Sequence, residues 1–294
     1  MTIRWGILGL GRAGRARAKA IAADERCELV CAWRGDATGL TVDAVDSAEA
    51  VFDQVDAVAV CTPDHTHPRL VRRALQAGKH VVCEFPLAGN ARVARELFHL
   101  ADAQERVLHV EHIELLTPVA RWLRAHVRPR DICAGSMRFR TKVRPEVFSV
   151  AHANVARLHR IFDVSGEPRR FVITHASLTE LAGTFRLSGE AFLEFHFEME
   201  PGAERKLEMT LDLGRRGMVL LMGRTLMFKG GPVALPPAKP LFAADHDAAM
   251  AAILHGAPTY VDRSRVLSVL GLADRLDAAA QELIDDKIGK PAIG

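Results

Sequence analysis

The chain predicts two fold classes in series: an α/β, doubly wound parallel sheet over residues 1–116, and an α+β region on a largely antiparallel open sheet over residues 117–294. Three observations carry that expectation. An apolar run at the start leads directly into closely spaced glycines and an Ala-rich stretch. Strand and helix signals then alternate as far as residue 110, after which apolar residues recur with a period of two. The first two patterns belong to βαβ units with helices on both faces of a sheet, and the third to strands with one buried face.

Residues 3–8 form the first strand, and the helix after the glycines runs to residue 23. Residues 28–33 and 55–61 are further apolar strands. A helix over 68–77 stops at Gly78, which can take the left-handed conformation that ends helices. A strand over 79–83, a helix over 91–104 and a strand over 107–110 complete the alternation, with right-handed crossovers expected between parallel strands. After a short helix over 115–126 the period changes. Over 135–143, Met137, Phe139, Thr141 and Val143 alternate with Arg138, Arg140, Lys142 and Arg144 beyond them. Over 191–199, Leu193, Phe195, Phe197 and Met199 oppose Glu194, His196 and Glu198. Residues 207–213 and 218–228 add strands broken by Gly-Arg-Arg-Gly and Gly-Arg turns, 231–240 is a Pro-rich loop, and 262–284 a closing helix.

Gly9-Leu10-Gly11-Arg12-Ala13-Gly14 stands between strand and helix, the order of a Rossmann dinucleotide site. The first glycine permits the turn, the second lets backbone approach a pyrophosphate, and the third packs helix on strand. Phosphates would rest on the unpaired N–H groups that open the helix, where its dipole favours negative charge. An acidic residue at the end of the second strand would serve the ribose of NAD; this chain has Trp33-Arg34-Gly35-Asp36. Arg34 offers a fork of donors to a 2′-phosphate and Trp33 a stacking surface, so NADP(H) is the expected cofactor. Asp36 carries the alternative, NAD(H).

The 294 residues are 49% hydrophobic with a net charge of +3, which excludes a disordered chain and gives no reason to invoke a nucleic-acid partner. Only eight of the 39 basic residues are Lys, a bias of the whole chain, so only arginines placed by a motif carry weight. No apolar run approaches roughly 18 residues, and no leader pattern precedes the first strand; the expectation is a cytoplasmic chain without a membrane partner. Cys27, Cys31, Cys61, Cys83 and Cys133 form no C-x-x-C pair and read as buried reduced thiols, with no metal site expected. A monomer and a homodimer are both compatible with the charged second sheet.

In open parallel sheets, ligands lie beyond the carboxyl ends of strands. Three such ends carry Cys61-Thr62-Pro63-Asp64-His65-Thr66-His67, Glu84-Phe85-Pro86 and Glu111-His112-Ile113-Glu114. Their order along the chain resembles the Gfo/Idh/MocA oxidoreductase family. In that family a T-P-x-x-x-H segment lies beside the nicotinamide and an E-K-P segment supplies a lysine for moving a hydroxyl proton. Here the lysine position holds Phe85, and the slots of the family's catalytic Asp and His ahead of Gly166-Glu167 hold Ala156 and His159. Alcohol oxidation on a sugar is therefore not expected. The biliverdin reductase branch of the family also lacks the lysine. Cys83-Glu84-Phe85-Pro86-Leu87, Glu111-His112-Ile113-Glu114-Leu115-Leu116 and Arg157-Leu158 resemble it, although that branch usually has Tyr at the position of Phe85.

The resemblance implies NADPH-dependent delivery of hydride to the central methine carbon of biliverdin, giving bilirubin, with a proton added at a pyrrole nitrogen. It places Cys61, Thr62, Pro63, His65, His67, Glu84, Phe85 and His112 at the cofactor. It makes Arg157, Glu84, Glu111 and Glu114 the catalytic candidates. Phe85, Arg138, Arg140, Lys142, Arg144 and Arg157 would bind a flat, apolar, dianionic tetrapyrrole. Each has a plainer reading. The basic row could face water or pair with Glu194 and Glu198, Arg157 could be an ion-pair partner, Glu84 a loop anchor, and Glu111 and Glu114 partners of a helix start. Two other functions stay open: a related lysine-free reductase of another conjugated or imine metabolite, and a non-catalytic NADP-sensing regulator.

Overall fold

The computed structural model describes residues 2–143, 149–187, 190–238 and 240–288. Two compact units are formed, residues 1–116 with 238–267, and 117–237 with 268–294. In the first, the elements follow as β1 (Ile3–Leu8), α1 (Arg12–Ala22), β2 (Cys27–Trp33), β3 (Asp43–Val45), α2 (Ala48–Phe52), β4 (Ala57–Val60), α3 (His67–Gln76), β5 (His80–Cys83), α4 (Ala91–Ala103) and β6 (Leu108–Val110). All strand pairs are parallel, in the order β3-β2-β1-β4-β5-β6. Every residue of β4 is buried, as is all of β1 except Arg4, because helices cover both faces; this is why these strands read as unbroken apolar runs. Strand order reverses between β1 and β4, and the crevice beyond their carboxyl ends is the ligand position of such sheets.

In the second unit, α5 (Pro118–His126) leads to β7 (Ala134–Lys142), α6 (Val150–Ala153), α7 (Val155–Ser165), β8 (Arg170–Ala176), β9 (Glu180–Arg186), β10 (Phe192–Glu200), β11 (Lys206–Asp212), β12 (Met218–Met222), β13 (Thr225–Phe228) and β14 (Gly231–Pro232). The sheet order is β14-β13-β12-β11-β7-β10-β9-β8, antiparallel except for β7 with β10. Met137 and Phe139 of β7 lie on the buried face with Leu193, Phe195 and Phe197 of β10, as the period-two pattern requires. The strands expected over 218–228, broken by a Gly-Arg turn, form a hairpin turned at Gly223 with φ +62°. Helix α7 gave no helical periodicity to read because nearly every one of its side chains is buried.

Two helices follow the second sheet, α8 (Leu241–His255) and α9 (Arg263–Ile288). The expectation that residues 117–294 form one domain is corrected here, since residues 238–267 belong to the first unit. Ala249 and Met250 of α8 share a core with Trp5, Ile7, Ala18 and Ile21, and Asp245 neutralises an arginine buried in α1. Among the described residues no helix is long and apolar enough to cross a membrane.

Candidate functional site

The glycine loop is built for close approach. Gly9 has φ +97°, and a Cβ there would meet the Cys61 carbonyl oxygen at 2.9 Å. At Gly14 a Cβ would stand 1.9 Å from the Gly9 carbonyl oxygen, so the helix could not pack. Gly11 differs, having nothing within 4 Å of the added carbon. The first and third glycines are thus demanded by the protein's own backbone, whereas the second faces open space. Helix α1 starts there with neither a side-chain cap nor an acidic residue in its first turn, beside the exposed Arg12, so its leading N–H groups and positive dipole end suit a pyrophosphate. Leu10 is buried and Ala13 half-buried behind the loop.

Beyond β2, the carbonyls of Trp33 and Arg34 each accept a hydrogen bond of 2.8 Å, from the N–H groups of Gly9 and Leu10. Arg34 has a left-handed backbone with φ +64°, and its exposed guanidinium lies 5.2 Å over the Trp33 ring. No carboxylate pairs with it among the described residues. The Asp36 carboxylate accepts the Thr38 N–H at 2.8 Å, and hydrogen bonding from the Thr38 side chain first and then from that N–H holds its pKa below the usual carboxylate value. Arg15 fixes the same turn through the carbonyls of Asp36 and Thr38, at 2.6 Å each.

At the end of β4 the Thr62 and Thr66 hydroxyls lie 2.6 Å apart and His65 is exposed. His67, expected beside the cofactor, is fully buried, with its ring nitrogens 2.8 Å from the Pro86 carbonyl and 2.7 Å from that of Thr62. It ties the β4 and β5 loops together and does not present its ring to a ligand. Phe85, in a cis bond to Pro86, stacks on His112 at 5.7 Å between centroids. Burial, reinforced by the charge of His109, lowers the His112 pKa to about 3 and keeps that ring neutral.

Behind this wall lies a buried charge network. Arg17 of α1 is 3.2 Å from Glu84 and 2.5 Å from Asp245, and both Arg17 and Asp245 are inaccessible to solvent. Asp245 also accepts from His109 at 2.8 Å and from the Tyr260 hydroxyl at 2.5 Å, while Tyr260 accepts the His112 N–H at 2.8 Å. Glu111 is fully buried and accepts the Ile113 N–H at 2.5 Å. Burial first, then the charges of Glu84 and Asp245, push its pKa well above the carboxylate range, so it holds a proton. Glu84, 15% exposed, is the more accessible member of this carboxyl pair, and Glu114 sits half-buried in the following 3-10 turn. Sequence reading missed Arg17, Asp245 and Tyr260. A signal existed in α1, where Arg17 lies on the buried stripe of Gly14, Ala18 and Ile21 and so demands a buried anion.

In the second unit, Arg138, Arg140 and Lys142 are exposed along β7, and Arg144 lies outside the described residues. Their face is not uniformly basic. Arg138 pairs in register with His196 and Glu208, Arg140 with Glu198, and the Arg140 guanidinium is 3.7 Å from Glu200. Arg157 is 2% exposed and stacks over the Phe139 ring at 4.2 Å, on the buried face of β7. The grouping of Arg157 with the basic row is therefore corrected: alternation along the strand puts them on opposite faces of one sheet. Among the cysteines, Cys133 is exposed, contrary to the expectation of burial.

Residues 3–112 match the family GFO_IDH_MocA, described as "Oxidoreductase family, NAD-binding Rossmann fold". The chain is 31% identical over 170 residues to biliverdin reductase A of Mus musculus, covering 55% of this chain and 57% of that protein. It is 38% identical over 104 residues to inositol 2-dehydrogenase of Rhizobium meliloti (strain 1021), covering 32% of this chain and 31% of that protein. The match thus spans little more than half the length of the curated biliverdin reductase. Among solved structures, biliverdin reductase from Synechocystis sp. PCC 6803, in complex with biliverdin and NADP+, superposes with a TM-score of 0.81 at 25% identity, covering 94% of this chain and 98% of that one. The family match thus covers residues 3–112, the part of the chain that holds the parallel sheet and its glycine loop.

Proposed function

We propose that this chain is an NADPH-dependent reductase that converts biliverdin to bilirubin. The observation that carries the reading is the strand end Glu84-Phe85-Pro86, where an aromatic wall of Phe85 on His112 stands beside the Glu84 and Glu111 carboxyl pair, with no lysine. Oxidising an alcohol needs a base to remove a proton, whereas reducing a conjugated methine bridge consumes one. A site with a neutral histidine and a protonated buried carboxyl suits the second task. The similarity to biliverdin reductases, one of them solved with biliverdin and NADP+, supports the same substrate class.

NADPH, when bound, supplies the hydride. Gly11 and the first turn of α1 hold its pyrophosphate, and the unpaired Arg34 selects the 2′-phosphate over the bare ribose that Asp36 would otherwise serve. Phe85 and His112 exclude water and orient the flat ring system. Glu111 stores a proton within the fold and Glu84 passes it toward the crevice, while Arg17 keeps the Glu84 carboxylate in place. The resemblance assigns the positioning of substrate to Arg157. Phe85, in place of the branch's usual tyrosine, favours a second reading, a related lysine-free reductase of another conjugated or imine metabolite.

The test is to mix the purified chain with NADPH and biliverdin and follow the visible spectrum, then repeat with NADH. Replacement of the biliverdin band by that of bilirubin, faster with NADPH, is the expected result. Cofactor binding with an unchanged bilin spectrum would refute the substrate and direct attention to the second reading.

A further inference from the structure

The loop after β2 is held from two sides. On one side it leans on the glycine loop, through the Gly9 and Leu10 N–H groups that its first two carbonyls accept, and through Gly35. Gly35 has φ +108° and lies so close that a Cβ there would stand 2.9 Å from the Leu10 Cβ and 3.0 Å from the Leu10 nitrogen. On the other side Arg15, one turn into α1, reaches across with both arms of its guanidinium. Its Nη1 donates to the Asp36 carbonyl and its Nη2 to the Thr38 carbonyl, at 2.6 Å each. Among the described residues, these are the hydrogen bonds that tie residues 36–38 to another element. The others, from the Thr38 N–H to the Asp36 carboxylate at 2.8 Å and from the Leu40 N–H to the Ala37 carbonyl at 2.9 Å, stay within the loop.

What the fork holds matters because of its neighbour. Arg34 has a left-handed backbone, φ +64°, which a residue with a side chain keeps only where its surroundings over-determine it. Its guanidinium lies over the Trp33 ring, and that ring is fixed in turn by its indole N–H, which donates to the Asp46 carbonyl at 3.1 Å. Freeing residues 36–38 would let Arg34 relax its backbone and carry the guanidinium elsewhere. The cofactor sets a length of its own, since covalent bonds fix the span from its pyrophosphate to its ribose 2′-phosphate. Arg15 belongs to the helix whose first turn faces the pyrophosphate, so the fork fixes the matching span in the protein. It also holds the Asp36 backbone while the Asp36 carboxylate is engaged by Thr38 and not by a ribose hydroxyl.

We propose that Arg15 is a positioning residue that sets the preference for NADPH over NADH by latching the loop after β2 to α1. The inference rests on the NADP(H) reading given above. Both arms of the Arg15 guanidinium are engaged by backbone carbonyls, so contact with the 2′-phosphate falls to Arg34 and Arg15 acts through it. NADH has no 2′-phosphate and does not use the span, so its binding is indifferent to the latch. The planar fork of an arginine suits two separate carbonyls at once, which the compact ammonium of a lysine does not. Selectivity is then shared between two residues that work as one unit: Arg34 supplies the charge and Arg15 supplies its place.

The experiment is a double-mutant cycle on the full chain, with NADPH and NADH affinities measured by fluorescence titration for the native protein, Arg15→Met, Arg34→Ala and the double variant. Arg15→Met is expected to weaken NADPH about tenfold and leave NADH unchanged or tighter. In the Arg34→Ala background the same substitution should change NADPH affinity by less than about twofold, because the group it positions is gone. Hydrogen exchange on the cofactor-free chain supplies a reading without any ligand: the Thr38 amide should exchange faster in Arg15→Met, on the order of tenfold. An undiminished loss of NADPH affinity in the Arg34→Ala background would make Arg15 a direct phosphate contact and overturn the latch. Equal losses of NADPH and NADH would make it a general support of the fold, and unchanged Thr38 exchange would show that it holds nothing. If Arg34→Ala abolishes the NADPH preference while Arg15→Met keeps it, the latch alone is refuted; a native chain that binds both cofactors equally refutes the NADP(H) reading and the latch with it.

Discussion

Asp245→Asn tests the buried network. Arg17 and Asp245 are both inaccessible to solvent and meet at 2.5 Å, so removing the anion strands a buried guanidinium with only Glu84, 3.2 Å away, as a counter-charge. Breaking a buried ion pair from one side costs about 3–5 kcal/mol. The asparagine carbonyl keeps an acceptor for the Tyr260 hydroxyl and His109, which places the expected loss near the lower bound, about 3 kcal/mol. Hydrogen exchange at the amides of β1 and β4 reads the opening free energy of the first unit directly. A double variant, Arg17→Met with Asp245→Asn, removes the stranded charge and should recover most of the loss. If Asp245→Asn costs under about 1 kcal/mol, or the double variant is no more stable than the single one, the argument that Asp245 exists to neutralise Arg17 fails.

Four further outcomes are expected. Arg34→Ala should lower NADPH affinity by about 10–100-fold, the worth of one charge-assisted phosphate contact at about 1.5–3 kcal/mol, and leave NADH affinity nearly unchanged; fluorescence titration with both cofactors decides. Since the unfolded chain takes a proton on His112 from about pH 6.5 downward while the native ring stays neutral to about 3, stability falls as pH drops through that window, by about 2 kcal/mol at pH 5. Denaturation series on the native chain and His112→Gln should show that slope diminished in the variant, and equal slopes would remove His112 as its source. Because the Glu111 carboxyl is held protonated, Glu111→Gln should change stability at neutral pH by no more than about 1 kcal/mol while slowing bilin turnover, and a large loss of stability would mean the native group is charged. Arg157→Ala should cut turnover strongly with NADPH affinity nearly unchanged, and equal activity would take Arg157 out of the mechanism.

The sequence by itself determined the doubly wound sheet, the position of the glycine turn and the buried face of the second sheet. Each is written in local periodicity and in backbone geometry that only glycine meets, such as the left-handed Gly9 and the helix contact at Gly14. Trp33 and Arg34 were legible beyond β2 because a parallel sheet fixes which residues stand at a strand's carboxyl end. Tertiary structure alone decided the rest. Asp245 and Tyr260 reach Arg17 and His112 from more than 140 residues away in the chain, and no period links them. His67 was expected at the cofactor, and the structure shows its buried ring as a strut on which two backbone carbonyls converge. Arg157 and the basic row looked like one surface, yet a helix packed on the apolar face of β7 and a strand's alternating side chains put them on opposite sides. Local sequence sets what a segment becomes, but the partner of a buried charge is chosen by how segments distant in the chain pack.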